Sequence, residues 1–418
     1  MLIKKALTYS LLTAVTLVPW NATAVNRFSF SNLLSKTGVG EVATLATDVA
    51  TSIAEGLLVK SLLEISAGKN QQALATVEQL IRSTPNFKLA HLIRGDLLLA
   101  QGKSLTSFGG TGDSISPEAI QDLREEARVR IERYLEKNST LKQPNLIIAP
   151  NPQHKHVILV DTKKSRLFLY ENADAGLKYM TDFYITVGKN GVGKFTEGDK
   201  RTPIGVYFAS QKLKQPLPDL YGDGAYPLNY PNEWDRTNNR KGSGIWLHGT
   251  PSSTFSRAPR ASDGCVVLSN QDLSALSEIL AVGKTPVIIA DNLEWLNDTG
   301  NLQAEKDSLN KAINNWLNDW RAQDTDKYLS YYSKDFSSNG INYQQWSEHK
   351  HRVQASKPKV SIDISNISMF GYPDAQRRLV VVDFVQNFNS PTLKNKMQKR
   401  QYWIEEDNRW KIIYEGSA

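Results

Sequence analysis

Cys265 is the only cysteine in 418 residues, and His248 stands 17 positions before it. A thiol attacks a carbonyl as its thiolate, so it needs a neighbouring base or positive charge and access to substrate. His248 is the single histidine between His156 and His349 and is therefore the base the sequence offers. The pair lies in two short segments, Gly244-Ile245-Trp246-Leu247-His248-Gly249-Thr250 and Ala261-Ser262-Asp263-Gly264-Cys265-Val266-Val267-Leu268. Gly249 leaves room for a turn at the end of a strand. Gly264 lets backbone approach a substrate closely, and successive N–H groups there would form an oxyanion hole. From the residues alone two readings stand: a Cys/His nucleophile pair, or a buried cysteine with an unrelated surface histidine. Other constellations carry less. His154 and His156, like His349 and His351, are two apart, would share a strand face, and lack a third ligand, so they read as exposed ends and no metal site is expected. The glycines of 188–193 lack the lysine-serine ending of a phosphate loop.

The elements that must position this pair fall into three folded parts. A hydrophobic content of 40% and a charged content of 22% are those of a folded protein, too long for one core. Met1 to Lys5 form a positive start, 6–20 an apolar stretch, and Ala22-Thr23-Ala24 a small-x-small site, so 1–24 reads as a signal peptide for export to the periplasm. Nothing later is long and apolar enough for a membrane span, and with export the net charge of +7 suits an anionic wall or membrane partner rather than nucleic acid. In an oxidising compartment a lone cysteine has no intramolecular partner. From 25 to 142 the apolar spacing is helical: Leu58, Leu62 and Ile65, a turn at Gly68, then Ala73, Val77 and Leu80. Ser116 and Pro117 open a further helix. The stretch 143–152, with three prolines, reads as a boundary. From 153 to 292 the period is that of strands, beginning with a hairpin over His156 to Tyr170, and 303–416 combines helices with four long strands, an α+β pattern.

The helical hairpin around Gly68 resembles a tetratricopeptide repeat in a single copy, which leaves open a protein partner or plain packing. The middle part resembles the L,D-transpeptidase catalytic domain of YkuD type. The resemblance runs in order through the opening hairpin, Gly188-Lys189 to Gly193-Lys194, Gly198 to Gly205, Trp246-Leu247-His248-Gly249-Thr250, Ser262-Asp263-Gly264-Cys265 and the closing strand 286–291. It implies Cys265 as nucleophile, His248 as base, the Gly249 carbonyl as the group orienting the imidazole, and the N–H groups of Gly264 and Cys265 as oxyanion hole, with no cofactor. The implied donor is a peptidoglycan tetrapeptide stem. Two departures stand out: Asp263 replaces the family's usual histidine, and Val267 replaces an arginine that many members carry. Ser262 and Asp263 remain candidate substrate-binding residues. Arg257, Arg260 and Lys194 are candidate replacements for the missing cation, each of which also reads as a surface charge.

Residues 303–416, with Trp316, Trp320, Tyr328, Tyr332, Phe336 and Arg409-Trp410-Lys411, resemble the nuclear transport factor 2-like domain of cell-shape L,D-carboxypeptidases. Such a cone-shaped domain implies a wall ligand or a homodimer, unless its aromatics are simply core. The expected architecture is thus an N-terminal helical domain, a central mainly-β domain and a C-terminal α+β cone. The expected function is an L,D-transpeptidase; an L,D-carboxypeptidase or a non-catalytic wall-binding scaffold are the alternatives. A papain-like protease is disfavoured because that family places cysteine before histidine.

Overall fold

The computed structural model describes residues 53–102, 108–109, 116–136, 142–213, 216–355, 360–373, 377–391 and 393–418. The segment 1–24, read as a signal peptide, and most of the stretch 104–113 lie outside these. Contacts divide the described chain into two compact units, 53–124 and 125–418.

The first unit contains α1 (Ile53–Ser66), α2 (Asn70–Ser83), α3 (Lys88–Leu99) and the opening turns of α4 (Pro117–Leu135). Leu58, Leu62 and Ile65 of α1 meet the interior, as do Ala73, Val77 and Leu80 of α2 and Leu89, Ala90 and Ile93 of α3. These are the three-and-four spacings that give each helix one apolar stripe. Ser116 Oγ accepts the Ala119 N–H at 3.2 Å, capping α4 as its sequence implied. The division between units falls within α4, so this helix does not simply close the first one.

The second unit begins with an unexpected arrangement. The proline-bearing stretch read as a boundary holds β1 (Gln143–Pro144) and β2 (Ile147–Ala149). The prolines are tolerated because β1 is a two-residue strand in a two-stranded pair and β2 an edge strand. Ile147 and Ile148 bury on opposite faces, in two different cores. Next come β3 (His156–Asp161), β4 (Arg166–Ala173), β5 (Gly176–Tyr184), β6 (Val187–Gly188), β7 (Gly205–Phe208) and β8 (Ala225–Pro227). A short helix α5 (Glu233–Thr237) precedes β9 (Trp246–His248), β10 (Arg260–Ser262) and β11 (Val266–Val267). Helix α6 (Asn270–Ser277), β12 (Pro286–Ala290) and β13 (Trp295–Leu296) complete the central part; β13 pairs with β1.

The C-terminal part consists of α7 (Gly300–Arg321), α8 (Thr325–Ser330), β14 (Ser337–Ser338), β15 (Ile341–Asn342), α9 (Tyr343–Gln354), β16 (Ser361–Gly371), β17 (Leu379–Asn389), β18 (Lys394–Glu406) and β19 (Arg409–Ser417). Helix α9 was not legible in the apolar spacing; an Asn342/Gln345 capping box starts it. It also corrects the reading of His349 and His351, which stand on a helix, where residues two apart diverge.

Two five-stranded sheets, β5-β4-β3-β12-β7 and β19-β18-β17-β16-β2, carry the second unit. Val157, Leu159, Val206 and Ile288 from the central sheet share one core with Val381, Tyr402 and Ile404 of the C-terminal sheet. The alternate residues Ile158, Val160, Val287 and Ile289 face Leu247, Val266 and Leu268 in a second core. Both faces of β3 and β12 are therefore covered, which is why their sequences are almost continuously apolar rather than alternating. A third core fills the space between the C-terminal sheet and its helices, with Leu309, Ile313, Trp316, Trp320, Tyr328 and Tyr332.

A polar tie crosses the shared core. The Arg400 guanidinium binds both Asp383 oxygens at 2.7 and 2.9 Å and reaches Glu233 of α5 at 3.0 Å. Beside it Trp234 stacks on Tyr402, with centroids 5.1 Å apart. His154 lies here too, buried rather than an exposed end: Nδ1 meets the Lys284 carbonyl and Nε2 the Ser368 hydroxyl at 3.0 Å.

Candidate active site

Strands β9 and β11 run side by side in parallel, with His248 opposite Val267 and Leu247 opposite Val266. Cys265 immediately precedes β11 and stands two positions before Val267, the residue opposite His248. From the strand spacing and rise, the Cα atoms of Cys265 and His248 lie roughly 8 Å apart, a span that imidazole and thiol can bridge. Strand pairing brings the segment that follows Cys265 beside the strand that carries His248, 17 positions earlier in the sequence.

His248 is buried, and its Nδ1 lies 2.7 Å from the Gly249 carbonyl. A carbonyl only accepts, so Nδ1 carries the proton and Nε2 keeps its lone pair. Gly249 packs closely on Asn270: a Cβ there would come within 2.0 Å of Asn270 Oδ1 and push that side chain aside. Asn270 in turn accepts the Asp223 N–H at 3.1 Å and donates to the Thr250 carbonyl at 3.0 Å, fixing the turn that carries the orienting carbonyl. The Tyr221 ring packs edge-on against His248 at 5.2 Å and against Trp246 at 4.6 Å.

Cys265 is half-buried, its thiol 3.3 Å from the Gly244 carbonyl. Burial pushes the thiol up to about 11; the Trp246 backbone N–H opposes this, Asp263 adds to it, and the charges of Arg257 and Lys194 pull the other way. Burial likewise pushes the His248 imidazole down to about 4, against the Gly249 carbonyl and with help from the Arg257 charge. Both shifts favour the uncharged forms of the thiol and the imidazole at neutral pH.

Gly264 has φ +122°, and a Cβ would meet the Arg201 carbonyl at 2.7 Å. The buried Thr202 hydroxyl accepts the Gly188 N–H at 2.8 Å and donates to the Gly264 carbonyl at 3.0 Å. Ser262 Oγ donates to the Cys265 carbonyl at 2.7 Å and accepts the Gly264 N–H at 3.1 Å. Ser262 is buried and engaged in holding the cysteine loop, and the Gly264 N–H is occupied, whereas the Cys265 N–H has no hydrogen-bond partner among the described residues.

The charged residues sort by place. Asp263 is exposed and pairs with Lys189 at 3.0 Å; Lys189 holds its carboxyl below the usual range. Lys194 is buried, bonded to Asp199 at 2.8 Å and to the Thr196 carbonyl at 3.0 Å, so it shapes its own loop instead of facing solvent. Arg260 is exposed on β10, and its charge acts on Glu125. Val267 is buried, so the strand offers no cation at that position. Arg257 is half-buried and its charge reaches Cys265, His248 and Asp263. Lys189, Thr202, Tyr221 and Asn270 were not singled out from sequence. Thr202 and Lys189 fall within the ordered family segments, which was the available signal; Tyr221 and Asn270 carried none. Among the described residues no group of three metal-binding side chains occurs, and no helix is long and apolar enough to cross a membrane.

The comparisons with known proteins agree with this geometry. Residues 155–289 match the L,D-transpeptidase catalytic domain, YkuD, and residues 308–416 the Cds6 C-terminal NTF2-like domain. Among solved structures, Bd1075 of Bdellovibrio bacteriovorus is similar at 28% identity and a TM-score of 0.56, over 66% of this chain and 99% of that one. Pgp2 of Campylobacter jejuni, a helical cell shape determining protein, shares the fold at 23% identity and a TM-score of 0.58, over 66% of this chain and 97% of that one. No match was found among curated proteins. The chain thus carries a catalytic domain of the L,D-transpeptidase (YkuD) family, followed by an NTF2-like domain of the Cds6 C-terminal type.

Proposed function

We propose that this protein modifies peptidoglycan outside the cytoplasm, through a thioester on Cys265 formed with the tetrapeptide stem. The observation that supports the reading is the parallel pairing of β9 with β11, which runs the strand ending in His248, its Nδ1 on the Gly249 carbonyl, beside the strand that directly follows Cys265. In the first step the sulfur bonds to the carbonyl carbon at the L-centre of the diamino acid. His248 Nε2 takes the thiol proton and the Cys265 N–H receives the oxyanion. The C–N bond to the terminal D-alanine then breaks, and His248 returns the proton to the departing amine. In the second step an amine acceptor attacks the thioester, giving a new amide and the free thiol: an L,D-transpeptidase.

Hydrolysis is the second reading, favoured by the buried Val267. Strand β11 lacks the cation that many transpeptidases place there, and water resolving the thioester would release a tripeptide, as in an L,D-carboxypeptidase. The two-sheet core shared with the NTF2-like part and the likeness to a cell-shape protein support a role in cell shape under either outcome.

Incubation of the protein with a purified tetrapeptide muropeptide, followed by mass analysis, separates the outcomes. Cross-linked dimers mean transfer, and tripeptide with free D-alanine means hydrolysis. Unchanged muropeptide under all conditions would leave a wall-binding scaffold as the function.

A further inference from the structure

Arg257, in the loop before β10, feels the charge of Asp263 but makes no salt bridge among the described residues. Arg257 is held by its backbone: its carbonyl accepts hydrogen bonds from Tyr184 at 2.8 Å and from Thr186 Oγ1 at 3.0 Å. Its guanidinium donates to the Ala261 carbonyl. Ala261 directly precedes Ser262, whose hydroxyl closes on the Cys265 carbonyl. The guanidinium is thereby fixed at the rim of the nucleophile loop with further N–H donors to spare. Among the described residues no carboxylate lies within 4.0 Å of it. Neighbouring charges are otherwise committed: Lys194 to Asp199, and Lys189 to Asp263.

Taking a guanidinium partly out of water costs free energy unless a counter-charge completes it. Surrounding carbonyls do not supply that charge. A planar fork of donors beside an acyl-forming thiol matches a carboxylate in two-point geometry, which an ammonium could not reproduce.

We infer that Arg257 receives a carboxylate of the ligand beside the scissile bond, supplying from the loop before β10 the cation that β11 lacks at Val267. The proposal rests on the reading of Cys265 as the nucleophile toward a peptide stem. That carboxylate has two sources with one chemistry, the C-terminus of the departing amino acid and the side-chain carboxylate of the diamino acid. Arg257 is a specificity residue on this account, and neither Arg260 nor Lys194 shares the role.

The test uses three stems: the free acid, a C-terminal amide, and a form amidated on the diamino acid side chain. kcat/KM is measured for the full chain and for Arg257→Gln and Arg257→Lys. With wild type, one of the two amidations lowers kcat/KM by about 10- to 100-fold, the range of a charge-assisted hydrogen bond, and names the carboxylate. Arg257→Gln loses a similar factor on the free acid and little on that amide, so the acid-to-amide ratio collapses; Arg257→Lys retains part of it. An equal loss on all three stems, or a wild type that treats them alike, overturns the inference. Binding of the same stems to Cys265→Ala and to Cys265→Ala/Arg257→Gln decides the matter independently of turnover. If wild type consumes no stem, the proposed function fails. The Arg257 inference then stands if acid preference in binding disappears with Arg257→Gln, and falls if it does not.

Discussion

A thiol titrating at about 11 makes a quantitative prediction for alkylation. At pH 7.5 such a thiol is thiolate at roughly 3 parts in 10⁴, against about one part in ten for an unperturbed cysteine near 8.5, a deficit of ~300-fold. The more basic thiolate is intrinsically the better nucleophile, and a Brønsted slope of about 0.4–0.5 returns roughly tenfold of this. Cys265 is therefore expected to react with iodoacetamide some 20 to 30 times more slowly than a free cysteine at pH 7.5, before any steric effect. Its rate should climb about tenfold per pH unit from 7 to 10 without a plateau. Because the imidazole is already neutral, His248→Asn should leave this profile nearly unchanged. Asp263→Asn removes a charge that raises the thiol and should move the profile to lower pH. The assay is a stopped alkylation series with mass readout. A plateau below pH 8 that His248→Asn abolishes would show a resting thiolate–imidazolium pair and refute the neutral-pair reasoning.

The same electrostatics govern catalysis. His248 binds a proton only below about 4, so the acid limb of kcat/KM should fall near pH 4, and a limb between 6 and 7 would contradict the burial argument. Gly249→Ala drives a Cβ into Asn270 and displaces the orienting carbonyl; a loss of about 10²-fold in kcat/KM is expected, with circular dichroism checking the fold. Thr202→Val leaves the Gly188 N–H and the Gly264 carbonyl without their shared hydroxyl, and should cost about 1–3 kcal/mol in denaturant unfolding. Arg400→Met strips Asp383 and Glu233 of their common counter-charge in the shared core, and a loss of about 3–5 kcal/mol is expected by the same measurement.

The candidate site was visible in the sequence mainly as an ordered set of family segments, since the residues alone left two readings open. Gly249 and Gly264 sit where residue type limits the backbone, because a Cβ would meet Asn270 or the Arg201 carbonyl. The partners that hold them were less visible. Asn270 acts through a 2.0 Å approach to the Cβ position of Gly249, and Thr202 through a hydroxyl shared between two distant loops; neither leaves a periodic trace. The β3 and β12 runs were readable as strands, but their double-sided burial depends on the C-terminal sheet, whose strands lie far along the chain at 361–417. For the same reason 143–152 looked like a linker: its proline-flanked isoleucines find their cores only through pairing of β2 with β16. Charge was the least legible property. Lys194, Arg257 and Arg260 are equivalent on paper; the structure separates a buried ion pair, a half-buried guanidinium without a salt bridge among the described residues, and an exposed side chain.

The account stands or falls on the bond that Cys265 makes. Acid quenching of the protein during reaction with a tetrapeptide stem, followed by peptide mapping, should find the tripeptide acyl mass on the fragment containing Cys265. Cys265→Ala should show neither adduct nor turnover. Turnover by Cys265→Ala, or an acyl adduct on another residue, would contradict it.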